Sequence, residues 1–348
     1  MSSTSTTTPA PTAPDPTPAP AAGPRTVPPL RGLSGVALAA LAVVGLFVWI
    51  VGASMSAPEP HDVPLAVVAP APVAAQAAGR LSAAQPGALD VRTYTDPAGA
   101  RRALEKQDVQ GVLALGVHGD EVLVTGASGD AVRQLVTTVG QKAAAQGHVP
   151  LKVTDAGPLP SGDRHGLIAF TLMVALSLAG LVFQGLFALR LPTLGRWTWL
   201  AASAVFSAVA AVIAASVADL VLGAFPGRLW QVAGVAALLS FATVATVAAL
   251  HRLLGMLAFP LSTLVLLQLG IATSGGPVPR AFLPSFYRAL SPAMPGAAEV
   301  QAVRRLAYLH EAPVGSSLLV LTAWAAAGTL IALLAWRLRQ APAARPAS

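Results

Sequence analysis

The chain has 348 residues, 54% of them hydrophobic and 11% charged, with a mean hydropathy of +0.65. A soluble domain carries about 25% charged residues, so the composition excludes a water-soluble enzyme of this size and points to membrane helices joined to polar segments. Cysteine is absent, which excludes disulfides, a thiolate metal site and a cysteine nucleophile.

Residues 1–32 are dominated by Ser, Thr, Pro, Ala and Gly, a composition that buries too little apolar surface to offset the entropy of ordering; a disordered cytoplasmic tail is expected. Six segments then lack Asp, Glu, Lys and Arg and are long enough for a hydrocarbon core of about 30 Å, which takes roughly 20 helical residues. They are 33–53, 166–189, 197–218, 229–250, 253–273 and 313–336. The first exceeds the length of a signal-peptide apolar core and follows a long tail, so it reads as an uncleaved anchor. Between the fourth and fifth, His251-Arg252 marks a tight turn, and Pro260 predicts a kink in the fifth.

Segment 54–165 alternates strand and helix signals. Strands are expected at 63–68, 90–95, 109–117, 121–125 and 149–154, and helices at 72–84, 97–107 and 130–145. Asp96 is the expected N-cap of the second helix, and Gly147 closes the third. The pattern predicts a compact mixed α/β domain.

The net charge of +7 raises nucleic acid as a partner, and its placement answers the question. With the N-terminus inside, the inner segments carry Arg25, Arg31, Arg190, Arg196, Arg252, Arg337, Arg339 and Arg345 against Asp15, whereas 54–165 holds nine basic and eleven acidic residues. Lys and Arg enrich cytoplasmic loops, so the basic excess is a topology signal facing the lipid bilayer, and no nucleic acid is expected. The fold class is therefore an α-helical polytopic membrane protein of six transmembrane helices, with an extracytoplasmic mixed α/β domain between helices 1 and 2. Five helices follow in 166–336 around an outer loop, 274–312, and a cytoplasmic tail occupies 337–348.

Catalytic motifs are missing. The chain has no G-x-x-x-x-G-K-[ST] loop, no G-x-S-x-G elbow and no H-E-x-x-H pair, and its six histidines are scattered singly. No enzyme activity, catalytic residue, metal or cofactor is expected. Within the spans Gln184 and Gln268 are candidate polar residues, read as interhelical glue. The Ala- and Ser-rich third span predicts close helix packing, within the bundle or between two copies.

The outer loop is the most distinctive stretch. Pro284, Pro292 and Pro295 divide short amphipathic pieces, and Phe286 and Tyr287 lie among arginines. From 297 to 309, Val300, Val303, Leu306 and Ala307 fall at helical spacing opposite Glu299, Arg304 and Arg305. Such a helix lies in the outer interface or dips into the bundle, as an interfacial lid or as a gate over a substrate path. The candidate gate comprises Pro284, Phe286, Tyr287, Pro292, Pro295, Arg304 and Arg305.

Four motifs carry a family resemblance: P-L-P-S-G-D (158–163) running into Gly166-Leu167, S-G-G-x-x-P (274–279), L-P-x-F-Y-x-A-L-S-P-x-M-P (283–295) and R-R-L-A-Y (304–308). Over roughly 60–336 the chain resembles the phage-infection-protein branch of the ATP-binding-cassette type-2 permeases. The resemblance implies a six-span, dimeric permease subunit of an export system, with a separate ATPase supplying energy. The cargo expected of such an exporter is a hydrophobic or amphipathic compound. The long coiled-coil insertion of the larger phage-infection proteins is absent, so a phage-receptor role does not carry over. Only 190–196 joins the second and third spans, which leaves an ATPase little to grip and keeps a non-transporting envelope scaffold or binding protein open as the alternative.

Overall fold

The protein is described by a computed structural model covering residues 30–116, 119–309 and 312–340. Residues 1–29 and 341–348 of the two expected tails lie outside the described residues, as do His118 and His310. The chain divides into two units, Met1–Ala42 and Val43–Ser348. Of the first, only the start of helix α1 (Leu30–Met55) is described, and all that follows concerns the second.

The expected α/β domain is present. Its elements are β1 (Val63–Val68), α2 (Ala71–Ala84), β2 (Leu89–Tyr94), α3 (Pro97–Glu105), β3 (Gly111–Ala114), β4 (Asp120–Thr125), α4 (Asp130–Gly147) and β5 (Leu151–Gly157). The five strands form one sheet in the order β2-β1-β3-β4-β5, parallel except for the β3–β4 hairpin. Alternation sorts the side chains into two faces. Val63, Leu65, Leu113 and Val122 meet Val132, Val136 and Val139 of α4 and Leu81 of α2, while Ala66, Val68 and Val112 meet Ala100, Ala103 and Leu104 of α3 on the other face. Asp96 caps α3 as expected, accepting from Ala98 N and Gly99 N at 3.0 and 2.9 Å. Gly147 is instead the last residue of α4, and the left-handed closing position falls on His148, φ +53°.

The helices that follow are α5 (Ile168–Arg190), α6 (Arg196–Ser216), α7 (Leu229–Leu254), α8 (Ala258–Ser262), α9 (Leu269–Thr273), α10 (Ser285–Leu290), α11 (Pro295–Tyr308) and α12 (Gly315–Gln340). Among the described residues four helical stretches are long and apolar enough to cross a membrane: Ile168–Arg190, Arg196–Val221, Leu229–Thr273 and Gly315–Leu338. The third holds two of the expected spans, because the chain doubles back within it. Gly255, at φ +62°, ends α7, and Leu266 shares one cluster with Val247 and Leu181. A straight helix would hold residues so far apart in sequence about 28 Å from each other. A wide π-helical turn, Thr263–Gln268, follows Pro260 and separates α8 from α9. The first expected span falls within α1, which is 26 residues long.

Small residues decide how the helices meet. Ser203, Ser207, Ala211 and Ala215 recur every fourth position on the buried side of α6, which packs chiefly on α7. The Ala- and Ser-rich stripe thus serves packing within the bundle. Its opposite side exposes Val205, Val209 and Ile213, and α5 and α12 expose Leu178, Val182, Leu186, Leu319, Leu330 and Leu334. Such rows are foreign to a soluble surface and fit a hydrocarbon surround.

Candidate functional site

Residues far apart in sequence converge where the α/β domain meets the helices: the linker 158–167, the turn Ser274–Pro279 and the helix α11. Asp163, which is buried, accepts from Leu167 N at 2.8 Å through Oδ1 and from Ile168 N at 3.2 Å through Oδ2. Its carboxylate thereby satisfies donors at the start of α5 and places negative charge at the positive end of that helix. The phenol of Tyr308 donates to the same Oδ2. Burial, and then this hydrogen bond, raise the Tyr308 pKa, so the phenol keeps its proton and remains the donor.

Arg304 closes the cluster. Its Nη2 donates to the carbonyls of Gly166 and Gly276, both at 2.9 Å, its Nη1 to Gly275 at 2.8 Å, and its Nε to Gly166 at 3.3 Å. Gly166 and Gly275 have φ of +66° and +72°, left-handed turns that glycine adopts without the steric cost of a Cβ, and these turns aim carbonyls at the guanidinium. Burial lowers the Arg304 pKa while Tyr308 and Asp163 oppose the shift. A guanidinium has the rigid fork of donors that such a set of acceptors requires.

The same seam holds the α/β domain. His61 N donates to Ala281 O at 2.8 Å, Phe282 is buried among the valines between α4 and the sheet, and Ala127 belongs to the main cluster of the bundle. Among the described residues there is no group of three or more His, Asp or Glu placed to hold a metal. One buried cation and one buried carboxylate tie two loops, α5 and α11 into a joint.

The candidate gate residues fall on several elements. Arg304 is stapled as described, while Arg305 is half-buried and donates to Pro313 O at 2.6 Å. Pro284 opens α10 and Pro295 occupies the first turn of α11. Pro292 lies in the 3-10 turn Ser291–Ala293, whose last carbonyl accepts from Trp324 Nε1 at 2.8 Å. Tyr287 is buried with Ile50, Ala272 and Leu283, whereas its neighbour Phe286 is 63% exposed. The expected wet face of α11 is not observed: Glu299 is fully buried and Arg304 is 9% exposed, because α5, α7, α9 and α12 surround the helix. Helical periodicity locates an apolar face and is blind to a second cover over the polar one.

The two glutamines bridge helices. Gln184 on α5 accepts from Trp199 Nε1 on α6 at 3.1 Å, and Gln268 donates to Val43 O on α1 at 3.2 Å. Gln184→Leu should lower folded-state stability by about 1–3 kcal/mol, since the buried indole N–H loses its acceptor. Thermal unfolding of the detergent-solubilised protein checks this, and an unchanged midpoint would refute the bridging role.

A cleft of about 490 Å³ opens in the α/β domain between α2 and α4, floored by Leu113 and Leu115, with Arg80 and Lys142 among its polar lining. Comparison with protein-family models, with curated proteins and with solved structures finds no match.

Proposed function

We propose that the protein is a permease-like membrane subunit of the type-2 export class, moving a hydrophobic or amphipathic compound across the cytoplasmic membrane. In this reading the helices make six crossings, both termini face the cytoplasm and the α/β domain lies outside. The observation that carries it is the convergence of three of the resemblance-bearing motifs. Asp163 of the first, Gly275 and Gly276 of the second, and Arg304 and Tyr308 of the last are bonded into one joint, although up to 145 residues separate them in the chain. Such a joint couples the α/β domain to α5 and α11, the coupling a transporter with an external domain needs. The exposed apolar rows of α5, α6 and α12 support the bilayer as the surround.

A second reading is a non-transporting envelope protein whose α/β domain binds a partner. Two observations favour it. The α5–α6 connection is only Leu191–Gly195, a small handle for an ATPase, and the cleft between α2 and α4 lies in the volume range of ligand sites. Crosslinking in native membranes, followed by mild solubilisation and mass spectrometry, separates the two. Near-stoichiometric recovery of an ATPase with a phosphate-binding loop is the expected result. Recovery of envelope proteins alone would overturn the export reading in favour of the scaffold.

A further inference from the structure

The least satisfied ionisable group among the described residues is Glu299, in the first half of α11. The residue has no exposed surface, and neither carboxyl oxygen has a hydrogen-bond partner among the described residues. A carboxylate cannot remain ionised in such a place without a cation or several donors, and neither is supplied. On α11 itself Arg304 lies five residues on, about 140° around the helix, and its donors are committed to Gly166, Gly275 and Gly276. Arg305 reaches Pro313 O, and Tyr308 reaches Asp163.

The elements packed against α11 are α5, α7, α9, α12, the π-helical turn and two 3-10 turns, Gly126–Ser128 and Ser291–Ala293. Among their described side chains the ionisable ones are Arg190, His251, Arg252 and Arg337. Each sits at the far end of its helix. Met173 of α5 touches α11 at Gly296, 17 residues before Arg190, a rise of about 25 Å. Val232 to Leu239 of α7 and Leu321 of α12 share the cluster of Val300 and Val303, again more than three turns from His251 and four from Arg337. Burial alone accordingly raises the Glu299 pKa well above the ordinary carboxyl value, with no charge opposing it. Neighbouring elements carry further buried polar atoms without a partner among the described residues, Ser240 and Thr243 on α7, Gln268 Oε1 and Ser291 Oγ, while the Asp163 carboxylate meets α11 at Tyr308, nine residues beyond Glu299.

We propose that Glu299 is a proton-binding site: α11 keeps its packed place only while the Glu299 carboxyl carries a proton, and loss of that proton releases the helix from the bundle. The step transfers one proton from the carboxylic acid to water and leaves a carboxylate whose hydration requires α11 to move. The inference concerns this one residue and stands whether or not the protein is an exporter.

The sign of the pH dependence follows. In the window between the ordinary carboxyl pKa and the raised one, the folded state binds a proton that the opened state does not, so stability falls as pH rises. The opening constant of α11 should grow about tenfold for each pH unit in that window. The test uses the full chain in nanodiscs, wild type beside Glu299→Gln, which mimics the neutral acid. Hydrogen exchange of peptides over 295–308, corrected for the intrinsic pH dependence, should show wild-type protection falling as pH rises from about 5 to about 9, with no fall in Glu299→Gln. An infrared difference spectrum between the two at neutral pH should contain the carbonyl band of a protonated carboxylic acid, shifted in heavy water. Protection independent of pH, an equal fall in both proteins, or a neutral-pH difference spectrum with only carboxylate bands would overturn the proposal. A wild-type slope abolished by sodium chloride but retained in choline chloride would mark an inorganic cation site and overturn it as well. If Glu299→Gln does not accumulate folded, Glu299→Leu replaces it, and the wild-type infrared titration gives the same decision alone.

Discussion

Arg304→Ala is expected to be the most damaging single substitution in the helix bundle. The change removes the side chain that binds the Gly166, Gly275 and Gly276 carbonyls together and strands them in a buried seam. Hydrogen bonds to a charged donor contribute about 1.5–3 kcal/mol each. They are not additive within one network, and breaking a buried charged network by removing one partner typically costs about 3–5 kcal/mol. Asp163 also loses a neighbouring positive charge, although it keeps Leu167 N, Ile168 N and Tyr308. We expect Arg304→Ala to lower stability by about 3–5 kcal/mol and to open the linker 158–167 and the turn 274–279 to proteolysis. Arg304→Lys should recover only part of the loss, since an ammonium cannot present a planar fork to three carbonyls. The matching change at Arg305, which makes one hydrogen bond at the edge of the seam, should cost about 1 kcal/mol. Thermal unfolding and limited proteolysis in detergent read all three, and equal effects at positions 304 and 305 would refute the assignment of Arg304 as the staple.

Much of the fold is legible in the residues because its signals are local. β1 coincides with the expected strand 63–68, and its unbroken apolar run matches burial on both faces of a central strand. α3 begins at Pro97 behind the Asp96 cap, where a proline without N–H and an acceptor for orphan donors favour one boundary. The strand order needs long-range pairing that no local pattern encodes, whereas the reversal at Gly255 follows the expected turn at His251-Arg252 by a few residues. The candidate site divides in the same way. Asp163, Ser274–Gly276 and Arg304–Tyr308 stand out as motifs, but their meeting bridges 138 and 145 residues, and only the fold creates the joint. Glu299 is the instructive failure. An acid every few residues along an amphipathic helix normally marks the wet side, yet here that side is covered by helices, and the acid is left without a partner.

Gly162→Ala tests the joint from its other side. Gly162 sits in the linker directly before Asp163, against the connection between α6 and α7. A Cβ there would overlap the carbonyl oxygen of Leu222 and lie 2.7 Å from Leu222 C and 2.8 Å from Gly223 C. These are backbone atoms, so no side chain can swing aside, and either the linker or the turn must move. Overpacking of this kind costs about 1–3 kcal/mol, and more where backbone must shift. The displacement also carries Asp163, and with it the capping of α5 and the acceptor of Tyr308. We therefore expect Gly162→Ala to lower stability by at least about 2 kcal/mol, against about 1 kcal/mol for Tyr308→Phe, which deletes a single hydrogen bond. The double variant should be less damaged than the sum, because the phenol has already lost its carboxylate in the Gly162→Ala background. Additive losses would mean that the linker absorbs the methyl without moving Asp163. That result would separate the glycine contact from the joint and leave the bonds of Asp163 and Arg304 as its fastening.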